Sequence, residues 1–244
     1  MEKNTIEGRN PVYEALVADA PIEKIFISET SHGSQISKII NEAKRRGIMF
    51  KNVSADRIDE LAETESNQGV VAFVSQVDYC SLSDILALAE KKCEKPFIII
   101  CDEITDPHNL GAIIRTANAA GAHGVVIPKN RAVGVNATVF KTSAGAAAHT
   151  LIAKVGNLTQ AINELKERGV WIAGADMGGT EMYKEDFRGA IGLVVGSEGK
   201  GISKKIRDNC DFCVSIPMVG EINSLNASVA ASVLMYEVLR QRRN

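Results

Sequence analysis

The second half of the chain alternates short apolar runs with helical segments, and this alternation limits the possible folds more than any other feature. F-I-I-I-C at residues 97–101 and I-G-L-V-V at residues 191–195 are almost entirely apolar, as expected for strands that are buried on both faces. Helical segments separate such runs, and these segments are either rich in small residues or amphipathic. This order is typical of parallel sheets with crossover helices. The sequence therefore predicts an α/β fold with a mostly parallel sheet and helices on both of its faces.

The first 77 residues predict a small α/β unit of their own. Asn10-Pro11 is typical of a helix start, residues 24–28 of a strand, and residues 36–46 of an amphipathic helix that ends at Gly47. The stretch 78–95 changes character and reads as a linker with one capped helix. We therefore expect domains at residues 1–77 and 96–244, joined by the linker at 78–95.

Charge and cysteine content narrow the class of protein. The formal net charge is −2, which gives no global signature of a nucleic-acid binder, so any polyanion-binding surface is a local patch. Candidate cations for such a patch are Lys129, Arg131, Lys141, Lys200, Lys204, Lys205, Arg207, Arg240, Arg242 and Arg243.

Five cysteines without framework spacing indicate reduced thiols, and Cys210-Asp-Phe-Cys213 has no second ligand pair for zinc. No apolar run approaches the roughly 20 residues of a membrane span and no signal region is apparent, so we expect a cytoplasmic protein.

Three polar segments directly follow apolar strands. They are D-E-I-T-D-P-H-N-L-G-A-I-I-R-T-A at residues 102–117, G-S-E-G-K-G-I-S at 196–203, and I-P-M-V-G-E-I-N-S-L-N at 216–226. Ligands bind beyond the carboxyl ends of strands in open α/β sheets, so these segments predict the functional site. The polar residues from Asn223 to Asn226 also precede an apolar helix, and a simple helix cap is the alternative reading of that stretch.

In this order, the three segments resemble the motifs of the SpoU (TrmH-like) branch of the SPOUT methyltransferases. The resemblance covers residues 96–240, and I-E-G-R-N-P-V-Y-E-A-L near the amino terminus looks like the small ribosomal-protein-like substrate domain of the 23S rRNA guanosine-2′-O members. It implies methyl transfer from S-adenosylmethionine to a ribose 2′-hydroxyl of RNA, without a metal. It also implies a homodimer and a deep trefoil knot, although general topology rules predict an unknotted sheet.

The resemblance also implies site residues. The implied catalytic group is Asn109, Arg115, Glu198, Ser224 and Asn226. The implied cofactor-binding residues are Thr142, Ser143, Gly145, Gly196, Ile216, Met218, Ser224 and Leu225. Because a guanidinium stays protonated in proteins, we assign Arg115 an orienting role and expect Glu198 or a phosphate oxygen to take part in proton removal.

Three alternative functions remain beside methylation of ribosomal RNA. The first is the same chemistry on transfer RNA, and the second is a non-catalytic RNA-binding factor for ribosome assembly. The third, a nicotinamide-dependent dehydrogenase, is disfavoured because G-A-D-M-G-G at residues 174–179 lacks the dinucleotide-binding spacing. We interpret that stretch as a glycine-rich turn after a strand.

Overall fold

The chain folds as two compact units, Met1–Asp78 and Tyr79–Asn244. The structure is a computed structural model that describes residues 5–17, 20–62, 64, 66–74, 77–221 and 224–243. The first unit ends one residue after residue 77, where the sequence placed the end of the first domain. Each unit has its own buried apolar core.

The first unit is a four-stranded mixed sheet with helices. Its elements are β1 Thr5–Glu7, α1 Arg9–Val17, β2 Ile22–Ser28, α2 Ser34–Arg45, β3 Met49–Val53, α3 Ala55–Leu61 and β4 Val70–Val74. The strand order is β1-β4-β2-β3, in which only β2 and β3 pair in parallel. Helix α2 ends just before Gly47, whose φ of 59° is a conformation that favours glycine.

The second unit is built on a six-stranded sheet in which all neighbouring strands run parallel. Its strands are β5 Phe97–Cys101, β6 Gly124–Pro128, β7 Leu151–Val155, β8 Trp171–Glu181, β9 Ile191–Val195 and β10 Phe212–Ser215. Its helices are α4 Leu82–Lys91, α5 Pro107–Ala119, α6 Ala137–Thr142, α7 Leu158–Glu167, α8 Lys204–Arg207 and α9 Ala227–Arg243, with 3-10 turns at Ala146–Ala148 and Met182–Lys184. The order β10-β8-β9-β5-β6-β7 puts β9 and β5 in the middle. Every residue of these two strands is buried, which confirms the α/β prediction.

The stretch predicted to be a linker is folded into the second unit. Ser81 and Asp84 form a capping box at the start of α4. Leu82 and Ile85 on the next turn are buried in the core of the second unit, and Ile85 packs so closely on Gly124 that a Cβ there would lie 2.5 Å from it. The polar end of this segment suggested a connector, but the apolar face of α4 holds residues 79–95 against the sheet.

Strand β8 is longer than the sequence suggested. The glycine-rich stretch 174–179 was expected to be a turn, but it continues the strand to Glu181. A Cβ at Gly179 would lie 2.4 Å from the carbonyl carbon of Cys213 in the neighbouring strand β10. The turn prediction was wrong because glycine here permits close approach of two backbones, which is its other common use in a strand.

The chain leaves the sheet at its edge strand β10 and returns toward the centre. Residues 216–226 connect β10 to α9, and α9 packs against α5, the helix that follows the central strand β5. The hydroxyls of Thr116 on α5 and Ser232 on α9 are hydrogen-bonded at 3.0 Å. This path brings the third polar segment beside the first, and the trefoil knot stays a prediction.

Candidate active site

The site begins where the paired strands β5 and β9 end. Cys101 and Val195 are partners in the sheet, so Asp102 and Gly196 start their loops side by side. Asp102 is 5% exposed, and its carboxylate accepts a hydrogen bond of 2.7 Å from the N–H of Ser203. This buried carboxylate anchors the far end of the loop that leaves β9. Its functional relevance was missed from sequence, although its place directly after a buried strand was the available signal.

The loop at residues 196–203, which we call the glycine loop, folds back on itself. Ser197 and Gly201 exchange two backbone hydrogen bonds, of 3.1 and 2.9 Å. A Cβ at Gly196 would lie 2.0 Å from the carbonyl carbon of Gly201, so no side chain fits there. Gly199 and Gly201 both have positive φ, at 77° and 65°. The glycines therefore form a tight loop that presents Glu198 near its tip.

Glu198 meets two asparagines from distant parts of the chain. The Nδ2 of Asn109, in the first turn of α5, donates to Glu198 Oε1 at 3.0 Å. The Nδ2 of Asn226 donates both to Asn109 Oδ1, at 3.0 Å, and to Glu198 Oε1. We call these three residues the Asn–Glu cluster. All three polar segments thus supply one side chain each, and the second carboxylate oxygen of Glu198 makes no hydrogen bond within the described chain.

Asn226 also caps the last helix. Its Oδ1 accepts hydrogen bonds from the N–H groups of Ser228, at 2.9 Å, and Val229, at 3.3 Å. The cap interpretation is therefore confirmed for Asn226. The site interpretation stays a prediction, and the Nδ2 end of the same amide is the part that contacts Asn109 and Glu198. Asn223 lies outside the described residues.

Two residues of the implied catalytic group do not join the cluster. Arg115 is exposed on α5 and forms no hydrogen bond or ion pair with the rest of the described chain. It follows Asn109 by six residues, which places the two side chains about 120° apart around the helix axis. Ser224 is exposed in the connection before α9 and is likewise without a hydrogen bond among the residues described.

A cavity of about 400 Å³, lined mainly by polar and charged residues, lies beside the cluster. Its volume is within the size range of small-molecule sites, roughly 300–1,000 Å³. Its lining residues are Glu103, Ile104, Thr105, Asp106, Asn109, Arg131, Ser197, Glu198 and Lys200. The cavity therefore joins the loop after β5 to the glycine loop. Asn109 and Glu198 open into it, so a group bound there is within reach of the Glu198 carboxylate.

The implied cofactor residues of the α6 region lie against α5. A Cβ at Gly111 of α5 would lie 1.9 Å from the hydroxyl oxygen of Thr142, so the two helices touch at that point. The Thr142 hydroxyl donates to the carbonyl of Thr138 at 2.8 Å, and the buried Ser143 hydroxyl donates to that of Phe140 at 2.9 Å. Gly145 has a φ of 80° and open space beside its Cα. Their hydroxyls are thus used within the fold, while Gly145 leaves room for a ligand.

Two of the implied cofactor residues after β10 have apolar side chains that are exposed to solvent. The apolar side chains of Met218 and Leu225 are 39% and 38% exposed. The main-chain N–H groups of Ile216 and Leu225 donate no hydrogen bond within the described part of the chain. Exposed apolar side chains and N–H groups that donate no hydrogen bond to the described chain are groups that a bound ligand could use.

The metal-binding and thiol side chains of the described residues are placed as follows. No group of three or more His, Cys, Asp or Glu side chains suited to a metal ion occurs in the described ranges. The cysteines are free, and burial raises the pKa of Cys210 to about 12, so its thiolate is scarce near neutral pH. Among the helices described, none is long and apolar enough to cross a membrane.

Comparison with known proteins places both units. Residues 96–236 match the SpoU rRNA Methylase family, and residues 5–80 match a family described as RNA 2′-O ribose methyltransferase substrate binding. A putative TrmH family tRNA/rRNA methyltransferase of Bacillus subtilis, YacO, is 46% identical over 236 residues, which cover 96% of this chain and 94% of that protein. A putative methyltransferase of the same family from Staphylococcus epidermidis is 43% identical over 243 residues, covering 99% of this chain and 97% of the other.

Solved structures agree with this placement. The crystal structure of the SpoU methyltransferase AviRb from Streptomyces viridochromogenes, in complex with the cofactor AdoMet, aligns with a TM-score of 0.63 at 25% identity. The alignment covers 98% of this chain and 90% of that chain. The TrmH/SpoU tRNA modifying enzyme of A. aeolicus is 31% identical, with a TM-score of 0.56 over 66% of this chain and 83% of that chain. With its two matched domains and its cluster of motif residues, the chain belongs to the SpoU family of S-adenosylmethionine-dependent RNA 2′-O-methyltransferases.

Proposed function

We propose that this enzyme methylates the ribose 2′-hydroxyl of a guanosine in 23S ribosomal RNA. The observation that carries the chemistry is the Asn–Glu cluster at the mouth of a polar cavity. The choice of ribosomal RNA is supported by the amino-terminal resemblance to the rRNA guanosine members. Because the relatives are named tRNA/rRNA methyltransferases, transfer RNA is the competing substrate. Either activity would place the protein in the cytoplasm, where these RNAs are found.

In this proposal Glu198 receives the proton of the 2′-hydroxyl. Both amide donors, from Asn109 and Asn226, go to Oε1, which fixes the carboxylate and leaves Oε2 for the substrate. A general base must lie within hydrogen-bond reach of the proton that it removes, and a fixed carboxylate at the cavity meets that requirement. S-adenosylmethionine supplies the electrophilic methyl group that the ribose oxygen attacks as its proton leaves.

We infer that the cofactor lies against the connection between β10 and α9. The exposed side chains of Met218 and Leu225 would cover the adenine, and the main-chain N–H groups of Ile216 and Leu225 would bind its ring nitrogens. Thr142, Ser143, Gly145, Gly196 and Ser224 would line the remainder of that pocket, as the family resemblance implies. Their hydroxyl bonds within α6 suggest a supporting role for Thr142 and Ser143.

We also propose that two copies of the chain form the working enzyme. Val229 and Tyr236 lie seven residues apart on one face of α9 and are 47% and 51% exposed, which is high for large apolar side chains. Arg115, on the neighbouring helix α5, is exposed and lies about 120° around the helix axis from Asn109. In a homodimer built on these helices, Arg115 of one copy can approach the substrate bound by the other.

The amino-terminal unit would contact RNA locally, because it is acidic overall. Through Asp78 the chain has 9 Lys and Arg against 13 Asp and Glu. A polar cavity of about 590 Å³ opens beside Arg9, Ser28 and Asn67. The Arg9 guanidinium is held by the carbonyls of Gln68 and His32, at 3.1 and 3.3 Å. A fixed guanidinium at a polar cavity suits a phosphate and an unstacked nucleotide.

Labelled methyl transfer tests this proposal. The enzyme is incubated with S-adenosylmethionine carrying a labelled methyl group and with unmodified 23S ribosomal RNA or unmodified transfer RNA, and the product is mapped to a nucleotide. We expect 2′-O-methylguanosine in the ribosomal RNA. Methylation confined to transfer RNA would replace the proposed substrate by its competitor. Binding of S-adenosylmethionine and RNA without transfer would favour the assembly-factor function.

A further inference from the structure

Two residues that line the cavity have a backbone conformation that L-amino acids rarely adopt. Glu103, in the loop after β5, has a φ of 54°, and Arg131, in the loop after β6, has a φ of 60°. Neither residue is Gly, Asn or Asp, the types that tolerate this region best. Non-glycine residues in such strained conformations cluster at ligand-binding and switch positions. Here both of them line the same cavity as Asn109 and Glu198.

The two side chains form a weak ion pair across the cavity mouth. Arg131 Nη1 lies 3.4 Å from Glu103 Oε1, and the side chains are 83% and 33% exposed. A hydrogen bond of 2.9 Å from the N–H of Val133 to the carbonyl of Ile104 ties the two loops together. Since exposed ion pairs contribute little to stability, the guanidinium can leave Glu103 for a better anion while the backbones stay in place.

The charges around the cavity offer an entering RNA phosphate few cationic partners. The ionisable groups that line it are the carboxylates of Glu103, Asp106 and Glu198 and the cations of Arg131 and Lys200. A ribose whose 2′-hydroxyl reaches Glu198 brings its neighbouring phosphate into this mostly acidic surrounding. A guanidinium fork matches a phosphate with two parallel hydrogen bonds, which a single weak contact to Glu103 does not provide.

We propose that Arg131 is a substrate-positioning residue that exchanges Glu103 for the RNA phosphate next to the target ribose. Glu103 holds the guanidinium at the cavity mouth in the free enzyme and competes with the phosphate for it. This inference rests on the proposed function for its substrate. Loss of the Arg131 guanidinium should weaken RNA binding, and loss of the Glu103 charge should strengthen it. A pair with a purely structural role would not show these opposite effects.

The test compares RNA affinity and kinetics for variants of the pair. Arg131→Ala should raise the Kd and the KM for RNA about tenfold, with a smaller effect on kcat, because one phosphate contact is lost. The slope of log K against log salt concentration should fall by about 1. Glu103→Gln should instead lower the Kd for RNA, about threefold. In the double variant with Glu103→Gln and Arg131→Ala, the gain in RNA affinity from Glu103→Gln should vanish, because Glu103 acts through Arg131.

Matched variants separate charge from backbone strain and from general electrostatics. Arg131→Gly removes the strain together with the guanidinium and should weaken binding as much as Arg131→Ala does, while Arg131→Lys should recover part of the affinity. Arg188 is also exposed and paired, with Asp186 at 2.9 Å, but it does not line the cavity, so Arg188→Ala should bind RNA like the wild type. Thermal unfolding of each variant checks its fold.

Two results would overturn the proposal. One is an Arg131→Ala variant with wild-type RNA affinity and salt slope. The other is a Glu103→Gln variant that weakens RNA binding as much as Arg131→Ala, because the pair would then be structural. Both 23S ribosomal RNA and transfer RNA are used as probes. If the proposed function names the wrong RNA, methyl transfer will occur on the other one. Arg131→Ala should then weaken binding of that RNA and Glu103→Gln should strengthen it.

Discussion

Replacing Asn226 by Asp separates the two roles of one side chain. The Oδ1 of Asn226 caps α9, and its Nδ2 donates to Asn109 and Glu198. Aspartate keeps the shape and the capping oxygen but has no N–H to donate, and it sets a second carboxylate against Glu198. Asn226→Asp therefore removes the amide–carboxylate contact while it leaves the cap. Asn226→Ala removes both.

The expected stability changes differ between the two variants. Loss of an asparagine cap costs about 1 kcal/mol, which corresponds to roughly 2–4 °C in Tm for a domain of this size, so Asn226→Ala should melt lower by about that amount. In Asn226→Asp, a negative charge at the start of α9 contributes about 0.3–1 kcal/mol, which offsets part of the repulsion from Glu198. Its Tm should therefore lie closer to that of the wild type than the Tm of Asn226→Ala.

The expected activity changes are alike. In both variants Glu198 loses the Asn226 donor that fixes Oε1, and a well-placed general base contributes typically 10²–10⁴-fold. We expect kcat for methyl transfer to fall by about 10²-fold in each. Glu198→Gln, which cannot accept the proton, is the positive control for loss, and S-adenosylmethionine binding measured by calorimetry should be unchanged in Asn226→Asp.

The assay combines steady-state methyl transfer to RNA with thermal unfolding followed by circular dichroism. The reasoning fails if Asn226→Asp keeps kcat within about threefold of wild type, because Asn226 would then be a cap only. It also fails if Asn226→Asp melts as low as Asn226→Ala, since the loss of activity would then follow from a damaged helix start.

Three further predictions concern the second unit. Gly196→Ala puts a Cβ 2.0 Å from the carbonyl carbon of Gly201, so the free energy of unfolding should fall by about 1–3 kcal/mol and methyl-transfer assays should show loss of most activity. Gly189→Ala, whose added Cβ would have nothing within 4 Å, should match the wild type in both assays. The buried side chain of His123 accepts a hydrogen bond from the N–H of Phe97 and contacts the carboxylate of Glu94, and burial lowers its pKa. Below about pH 6.5 the unfolded chain therefore binds more protons than the folded one, so the free energy of unfolding in urea should fall with pH by up to about 1.4 kcal/mol per pH unit. The variant His123→Asn should flatten that slope. Burial raises the pKa of Cys101 to about 12, so at pH 8 mass spectrometry should find iodoacetamide on the exposed Cys93 long before it appears on Cys101.

The sheet of the second unit could be predicted because its central strands are buried on both faces. Five consecutive apolar residues in β5 and in β9 leave few alternatives to an interior strand. The extension of β8 could not be predicted in the same way, because glycines such as Gly178 and Gly179 are typical of turns and also occur in strands that approach another backbone. Only the position of β10 beside them decides between the two.

The members of the Asn–Glu cluster could be predicted from motifs, but their contacts could not. Asn109 is separated from Glu198 by 89 residues and from Asn226 by 117, and their approach depends on the glycine loop and on the path of the chain after β10. The strained backbones of Glu103 and Arg131 were also beyond reach, since neither residue type favours a positive φ. Local sequence preference and final geometry disagree at those two positions, which is where functional sites are expected.

Helix α5 explains why one chain supplies only part of the expected catalytic group. Its first turn buries Asn109 against Glu198, and its middle is fixed by Gly111 against α6 and by Thr116 against α9. The Arg115 side chain on the same helix is exposed and makes no hydrogen bond or ion pair with the described residues. Arg115 lies about 120° from Asn109 around the helix axis, so the two side chains leave α5 in different directions. If Arg115 acts on the same ribose as Glu198, we expect a second copy of the chain to supply it, as in the proposed homodimer.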